Sequence, residues 1–258
     1  MEKLVGTLRD PKGRQIIAID GLGGLGKTAM AVEIGRRCLV EGLFERVLGE
    51  SAKQVRLVGK SIEKIPDAPA RLGFEELLDA IARQLGRWDI PTMRLEEKKH
   101  TLRYLLRQLP YLIVVDNLET AENARSLVIE LQMLLDEGRA IVTSRPQLDL
   151  DFVHTLSLDG LSELDSFVFL HEEAKSRNHT EILSASKRDL RQIHKATGGA
   201  PLAMKLVVGQ ISKLPLDTVL HNLQEAKGDI YRFIFLESWN LLSLEAQSVG
   251  SARTRQAS

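Results

Sequence analysis

The stretch Gln15-Ile16-Ile17-Ala18-Ile19-Asp20, followed at once by Gly21-Leu22-Gly23-Gly24-Leu25-Gly26-Lys27-Thr28, decides the fold of this chain. Its first six residues are short, apolar and rich in isoleucine, the signature of a buried strand. The next eight fit G-x-x-x-x-G-K-[ST], the phosphate-binding P-loop, without a mismatch. Thr28 to Val40 carries no proline and one glycine, so it predicts a helix that stops near Gly42. Strand, glycine turn and helix together give the motif a mechanism. Glycines let backbone amides turn toward phosphate oxygens, and the helix N-terminus adds partial positive charge. Gly21, Gly23, Gly24, Leu25, Gly26 and Ala29 are therefore expected to line a phosphate cradle. Lys27 would neutralise the β- and γ-phosphates, and the Thr28 hydroxyl would ligate magnesium.

Working outward, strand and helix patterns alternate through the first 150 residues. Further strands are expected at Arg46 to Glu50, Tyr111 to Asp116 and Arg139 to Thr143. Between them Phe74, Leu77, Leu78, Ile81, Ala82 and Leu85 keep helical spacing up to Gly86. Leu102, Leu105, Leu106 and Leu109 repeat the stripe before Pro110, and Ala124, Leu127, Val128, Leu131, Leu134 and Leu135 form another before Gly138. These stripes read as core packing, and the alternation predicts a three-layer α/β domain with a mainly parallel sheet. After a short strand near His154 to Leu158 the pattern turns helical. Ser162 and Asp165 look like a helix cap. Helices are expected at Glu163 to Ser176, Lys187 to Thr197, Pro201 to Ser212 and Leu216 to Ala226.

Composition bounds the function. The chain has 258 residues, and its 35 Lys and Arg balance 35 Asp and Glu, which disfavours a uniformly basic nucleic-acid binder. No apolar stretch has the length of a membrane span, and Met1-Glu2-Lys3 opens no signal peptide. With Cys38 alone there is no internal disulfide, so a reduced, cytoplasmic setting is expected. Lys98-Lys99-His100 with Arg103 and Arg107 reads as a solvated helix flank balanced by Glu96 and Glu97. His171-Glu172-Glu173-Ala174-Lys175 lacks the closing histidine of the zinc motif it resembles.

Two more segments carry chemistry. Leu112-Ile113-Val114-Val115-Asp116 has the Walker B form, which delivers Asp116 to the magnesium sphere. Ala140-Ile141-Val142-Thr143 runs into Ser144-Arg145-Pro146. Arg145 then sits where ligands bind in open α/β sheets and can reach a terminal phosphate, or it can be a surface arginine beside a turn.

These segments, with Gly198-Gly199-Ala200-Pro201-Leu202-Ala203, stand in the order found in NB-ARC proteins. The chain thus resembles the signal-transduction ATPases with numerous domains (STAND), here of expected bacterial origin, from about Arg14 to Ser243. The resemblance implies ATP or ADP as ligand, with magnesium, and an Arg145 that senses the γ-phosphate. It implies that Pro201 packs against adenine, and that the ATP state forms homo-oligomers. It also implies three parts: a nucleotide-binding α/β domain over 1–158, an all-helical lid over 159–227, and the start of a winged-helix domain over 228–258. Sensor or output modules are expected beyond this chain, which is itself expected to be truncated. No nucleic-acid or membrane partner is implied.

Departures from the family pattern bear on turnover. Asn117 follows Asp116 where many hydrolytic relatives carry a second acid, and Glu119 is the candidate substitute. Hydrolysis is therefore expected to be slow or absent, and Asn117→Asp to raise it if that side chain faces the γ-phosphate. The family's Val-Gly-Arg segment has no clear counterpart, since Val5-Gly6-Thr7 lies close to the P-loop strand and lacks the arginine. The alternative is a free-standing AAA+-like ATPase with real turnover.

Overall fold

The computed structural model describes residues 2–52, 55–58, 61–64, 72–136, 138–211 and 213–225. They divide into two compact units that meet in sequence between Leu158 and Asp159. The segment 228–258, expected to open a winged-helix domain, lies outside the described residues.

The first unit is built on five parallel strands: β1 (Ile16–Asp20), β2 (Arg46–Ser51), β5 (Tyr111–Asp116), β6 (Arg139–Thr143) and β7 (Val153–Ser157). Their order across the sheet is β2-β5-β6-β1-β7. The chain leaves β1 toward one edge through α2 (Lys27–Val40), while β6 connects to β7 on the other side of β1. That change of direction sets the carboxyl end of β1 at the topological switch point, where open parallel sheets bind ligands. Registers align Ile19 of β1 with Thr143 of β6, and Val115 of β5 with Val142 of β6. The ends of β1, β5 and β6 are thereby brought side by side.

Alternation along each strand divides the core into two layers. Ile16, Ala18, Ile113, Val115, Ala140 and Val142 face helices α3 (Phe74–Gln84), α4 (Leu95–Leu106) and α5 (Ala124–Leu135). Ile17, Ile19, Leu112, Val114 and Ile141 pack instead with Ala31, Ile34 and Cys38 of α2 and Leu4, Val5 and Leu8 of α1 (Glu2–Arg9). Helix α1 was not expected. Val5-Gly6-Thr7 is part of it, with Val5 in that core and Gly6 exposed. A short two-stranded sheet, β3 (Val55–Val58) with β4 (Ser61–Lys64), is also additional.

Two expectations for α4 need correction, one for its basic flank and one for its apolar stripe. Lys98 is buried rather than solvated, and its ammonium lies 2.7 Å from Glu75 and 2.8 Å from Asp79 of α3. Burial works against that charge, but the hydrogen bonds Lys98 donates to Asp79 and Glu75 outweigh it and raise the Lys98 pKa. Helix α4 also stops at Leu106, leaving Leu109 exposed in the turn before Pro110.

The second unit is helical: α6 (Glu163–Ser176), α7 (Thr180–Leu183), α8 (Lys187–Thr197), α9 (Pro201–Ile211) and α10 (Leu216–Glu225). Its own core gathers Leu170, Ala174, Ile193, Met204, Val207 and Val219. Ser162 caps α6 by accepting from the Asp165 amide. Between α8 and α9 the backbone turns on Gly198 (φ 58°) and Gly199 (φ 69°), both left-handed. The Leu161 amide donates to the Gly199 carbonyl at 2.8 Å, and a Cβ on Gly199 would lie 2.3 Å from the Leu161 carbonyl oxygen. Glycine is required there by both conformation and space. Pro201 opens α9, a position where a missing amide costs no helical bond.

Candidate nucleotide-binding site

The P-loop leaves the buried end of β1 and enters α2 at Lys27. Gly21, Gly24 and Gly26 have positive φ values of 133°, 84° and 96°. Side chains rarely accept those conformations, and they let the loop reverse direction in so few residues. Lys27 is only 9% exposed, and its ammonium donates to the carbonyls of Gly21 at 2.7 Å and Leu22 at 3.0 Å. Burial pushes its pKa below the ordinary lysine value. Glu119 is the strongest opposing charge, Arg145 adds to the lowering, and Asp116 and Asp20 oppose it more weakly.

Thr28 and Asp116 meet directly. The threonine hydroxyl donates to Asp116 Oδ1 at 2.8 Å. A second hydroxyl, from Thr143 at the end of β6, donates to the same oxygen at 2.5 Å. Thr143 was missed from sequence because an apolar strand ending in threonine carries no local signal of its partner. Its Oγ1 also accepts the Asn117 amide at 2.9 Å, tying the ends of β5 and β6 together. Hydroxyl and carboxylate oxygens are the hard donors that suit magnesium, so Thr28 and Asp116 fit that ion chemically.

Asn117 does not face the phosphate loop in the way its position suggested. Its backbone is left-handed (φ 65°, ψ 43°), and its side-chain amide donates to Thr120 Oγ1 at 2.8 Å. Thr120 in turn donates to the Ala52 carbonyl at 2.7 Å. The residue after Asp116 therefore builds the turn Leu118–Thr120, with its side chain engaged by Thr120. That turn carries Glu119 inward. Glu119 is 14% exposed, and its Oε1 lies 2.9 Å from Nε of Arg145.

Arg145 follows β6 with its side chain 66% exposed. A Cβ built on Gly23 would lie 3.9 Å from its guanidinium carbon, which puts Arg145 beside the P-loop. The structure thus gathers Gly23, Lys27, Thr28, Asp116 and Arg145 at one end of the sheet. It adds Asp20, Glu119 and Thr143, to which sequence reading gave no role or only a secondary one. Ala29 is exposed in the first turn of α2. Pro201 belongs to the helical unit. Asp20 Oδ1, Ser144 Oγ and Glu119 Oε2 are buried oxygens without a hydrogen-bond partner.

A parallel sheet with a P-loop at its switch point and a neighbouring strand ending in aspartate defines a P-loop NTPase domain. Within that class the chain belongs to the NB-ARC domain family, which it matches over residues 1–178. No curated protein matches it. Among solved structures it is similar to a signal transduction ATPase with numerous domains and a tetratricopeptide repeat sensor from Pyrococcus horikoshii. That match has a TM-score of 0.54 and 14% identity, and covers 87% of this chain and 32% of the other. A Drosophila ORC chain from a complex with DNA aligns with a TM-score of 0.56, 18% identity, and coverage of 91% and 66%. The ORC2 protein of Aeropyrum pernix, solved as ADPNP–ADP complexes, gives 0.50, 14%, 87% and 64%. At these identities the likeness is one of fold. The chain spans about a third of the Pyrococcus protein and about two thirds of the two ORC chains. Among the described residues no helix is long and apolar enough to cross a membrane.

Proposed function

We propose that this chain is an ATP/ADP-binding switch module with slow hydrolysis. The observation that carries the reading is the convergence of Lys27, Thr28, Asp116 and Arg145 on one P-loop. Lys27 would exchange its loop carbonyls for phosphate oxygens, which are stronger acceptors for an ammonium. Thr28 and Asp116 would hold magnesium, and Gly21 to Ala29 would wrap the phosphates. Arg145 would read the γ-phosphate. The orphaned oxygens of Asp20, Ser144 and Glu119 support a polar ligand with its water shell, since buried polar atoms ordinarily find partners.

The helical residues after Asp159 would act as a lid, with Pro201 offering a rigid apolar wall to adenine. The segment after 227 would lead into a winged-helix domain. ADP and ATP would favour different domain arrangements, the ATP form assembling into homo-oligomers that engage sensor or output modules. Slow turnover is read from the residue after the strand-end acid: Asn117 is neutral, and its side chain is engaged with Thr120. Equilibrium titration of ADP and ATP, with and without Arg145→Ala, tests the reading. The variant should keep ADP affinity and lose ATP affinity. Equal loss of both would return Arg145 to the role of a surface turn residue.

A further inference from the structure

Glu119 has two properties that its neighbours lack. It is the carboxylate with the largest electrostatic effect on Lys27, ahead of Asp116, although it stands three residues beyond the strand-end acid. It also shares its charge with Arg145, whose guanidinium lies beside Gly23 of the P-loop, through a 2.9 Å contact. Its second carboxylate oxygen is buried and has no partner. The turn that presents it is fixed from three sides: Asn117 is bonded to Thr143 and Thr120, Thr120 to Ala52, and Leu118 is fully buried. A carboxylate held this firmly, with one oxygen on Arg145 and the other buried without a partner, is built for more than a surface ion pair.

We propose that Glu119 and the γ-phosphate of ATP compete for Arg145, and that ATP, by taking Arg145, frees Glu119 to accept the proton of the attacking water. The inference rests on the nucleotide-binding reading above and adds a catalytic residue and its latch. With ADP bound, nothing draws Arg145 from Glu119, and the carboxylate stays neutralised. With ATP bound, the γ-phosphate offers the guanidinium more charge and more acceptor oxygens than one carboxylate does. Glu119 is then left facing the cradle with both oxygens unpaired. In the chemical step the water oxygen forms a bond to the γ-phosphorus while its proton passes to Glu119. The bond from phosphorus to the β,γ-bridging oxygen breaks, and its electron pair stays on ADP. Inorganic phosphate leaves, and Glu119 gives its proton to solvent as it pairs with Arg145 again. The arrangement makes the sensor of ATP the gate of its hydrolysis, and part of the γ-phosphate's interaction is spent in separating the pair.

The test is a double-mutant cycle on Glu119→Gln and Arg145→Gln in the full chain. Binding is read by displacement of a fluorescent ADP analogue, and chemistry by single-turnover phosphate release. Glu119→Gln should retain ADP binding, which also shows that it folds, and should slow phosphate release by about a hundredfold. The same variant should raise the ratio of ATP to ADP affinity by up to about fivefold, because a competitor for Arg145 is gone. In the Arg145→Gln background, where there is nothing to compete for, Glu119→Gln should leave that ratio unchanged. An equal rise in both backgrounds would reveal a general charge effect and overturn the latch. Unchanged phosphate release, or a wild-type chain that binds ATP and never cleaves it, would overturn the catalytic role. A wild-type chain that binds neither nucleotide would overturn the proposed function instead.

Discussion

The hydroxyl of Thr28, in the first turn of α2, donates to Asp116 at the end of β5 across 2.8 Å. The strand that leads into the P-loop and α2, β1, is not a neighbour of β5, since β6 lies between them. Thr143 at the end of that intervening strand closes the gap by donating to the same carboxylate oxygen. Asp116 is thus oriented by hydroxyls from both sides. Its carboxylate has its geometry set by the sheet order before any ligand is bound, which is what preorganisation of a binding site requires.

The turn after Asp116 makes a specific statement about Asn117→Asp. A carboxylate at 117 would remain beside Thr120, because the left-handed backbone and the Thr143 bond to its amide fix the direction of the side chain. The amide donor to Thr120 would be lost, at a cost of about 1 kcal/mol. Hydrolysis should rise by less than about tenfold, since a correctly placed base contributes 10²–10⁴-fold. Phosphate-release rates for the two proteins decide it. A rise of a hundredfold would mean that residue 117 reaches the γ-phosphate after all.

Lys98 should be a stability residue. Its side chain is 3% exposed between Glu75 and Asp79. Lys98→Met keeps the aliphatic packing but leaves two carboxylates facing each other. Glu75 is half exposed and can turn to water, so the loss should fall at the lower end for a broken buried pair, about 3 kcal/mol. Urea unfolding measures it. A loss below about 1 kcal/mol would show that the ion pairs are energetically idle.

Lys27 gives the site a pH dependence of known sign. Its folded pKa lies below the ordinary 10.5. Between the two values the unfolded chain holds more protons, so this group's contribution to stability rises with pH across that window. Phosphate binding requires the ammonium, so ADP affinity should fall across the same window. Thermal unfolding of the ligand-free chain and ADP titrations over an alkaline pH series read the opposing trends. Parallel trends would contradict this assignment of the lysine.

Much of the nucleotide end was legible in the sequence because its signals are local. The P-loop glycines, Lys27 and Thr28 are contiguous, and Asp116 ends a run of buried residues. What escaped is what depends on partners distant in sequence. Nothing local marks Thr143 as a ligand of Asp116, or Lys98 as buried, because each owes its place to another element. Helix α1 was passed over because Gly6 interrupts a run of only eight residues, and its burial against α2 supplies what propensity lacks. Asn117 stands out in sequence as a missing acid, while the fold uses its tolerance of left-handed backbone.

The central claim is that Lys27 anchors the phosphates of an adenine nucleotide. It is tested most directly by titrating a fluorescent ADP analogue into the wild-type chain and Lys27→Ala, with circular dichroism as a check on folding. Loss of the charge-assisted contacts, at roughly 1.5–3 kcal/mol each, should weaken binding by one to two decades or more while the spectrum is unchanged. Equal affinity for the two folded proteins would contradict the account.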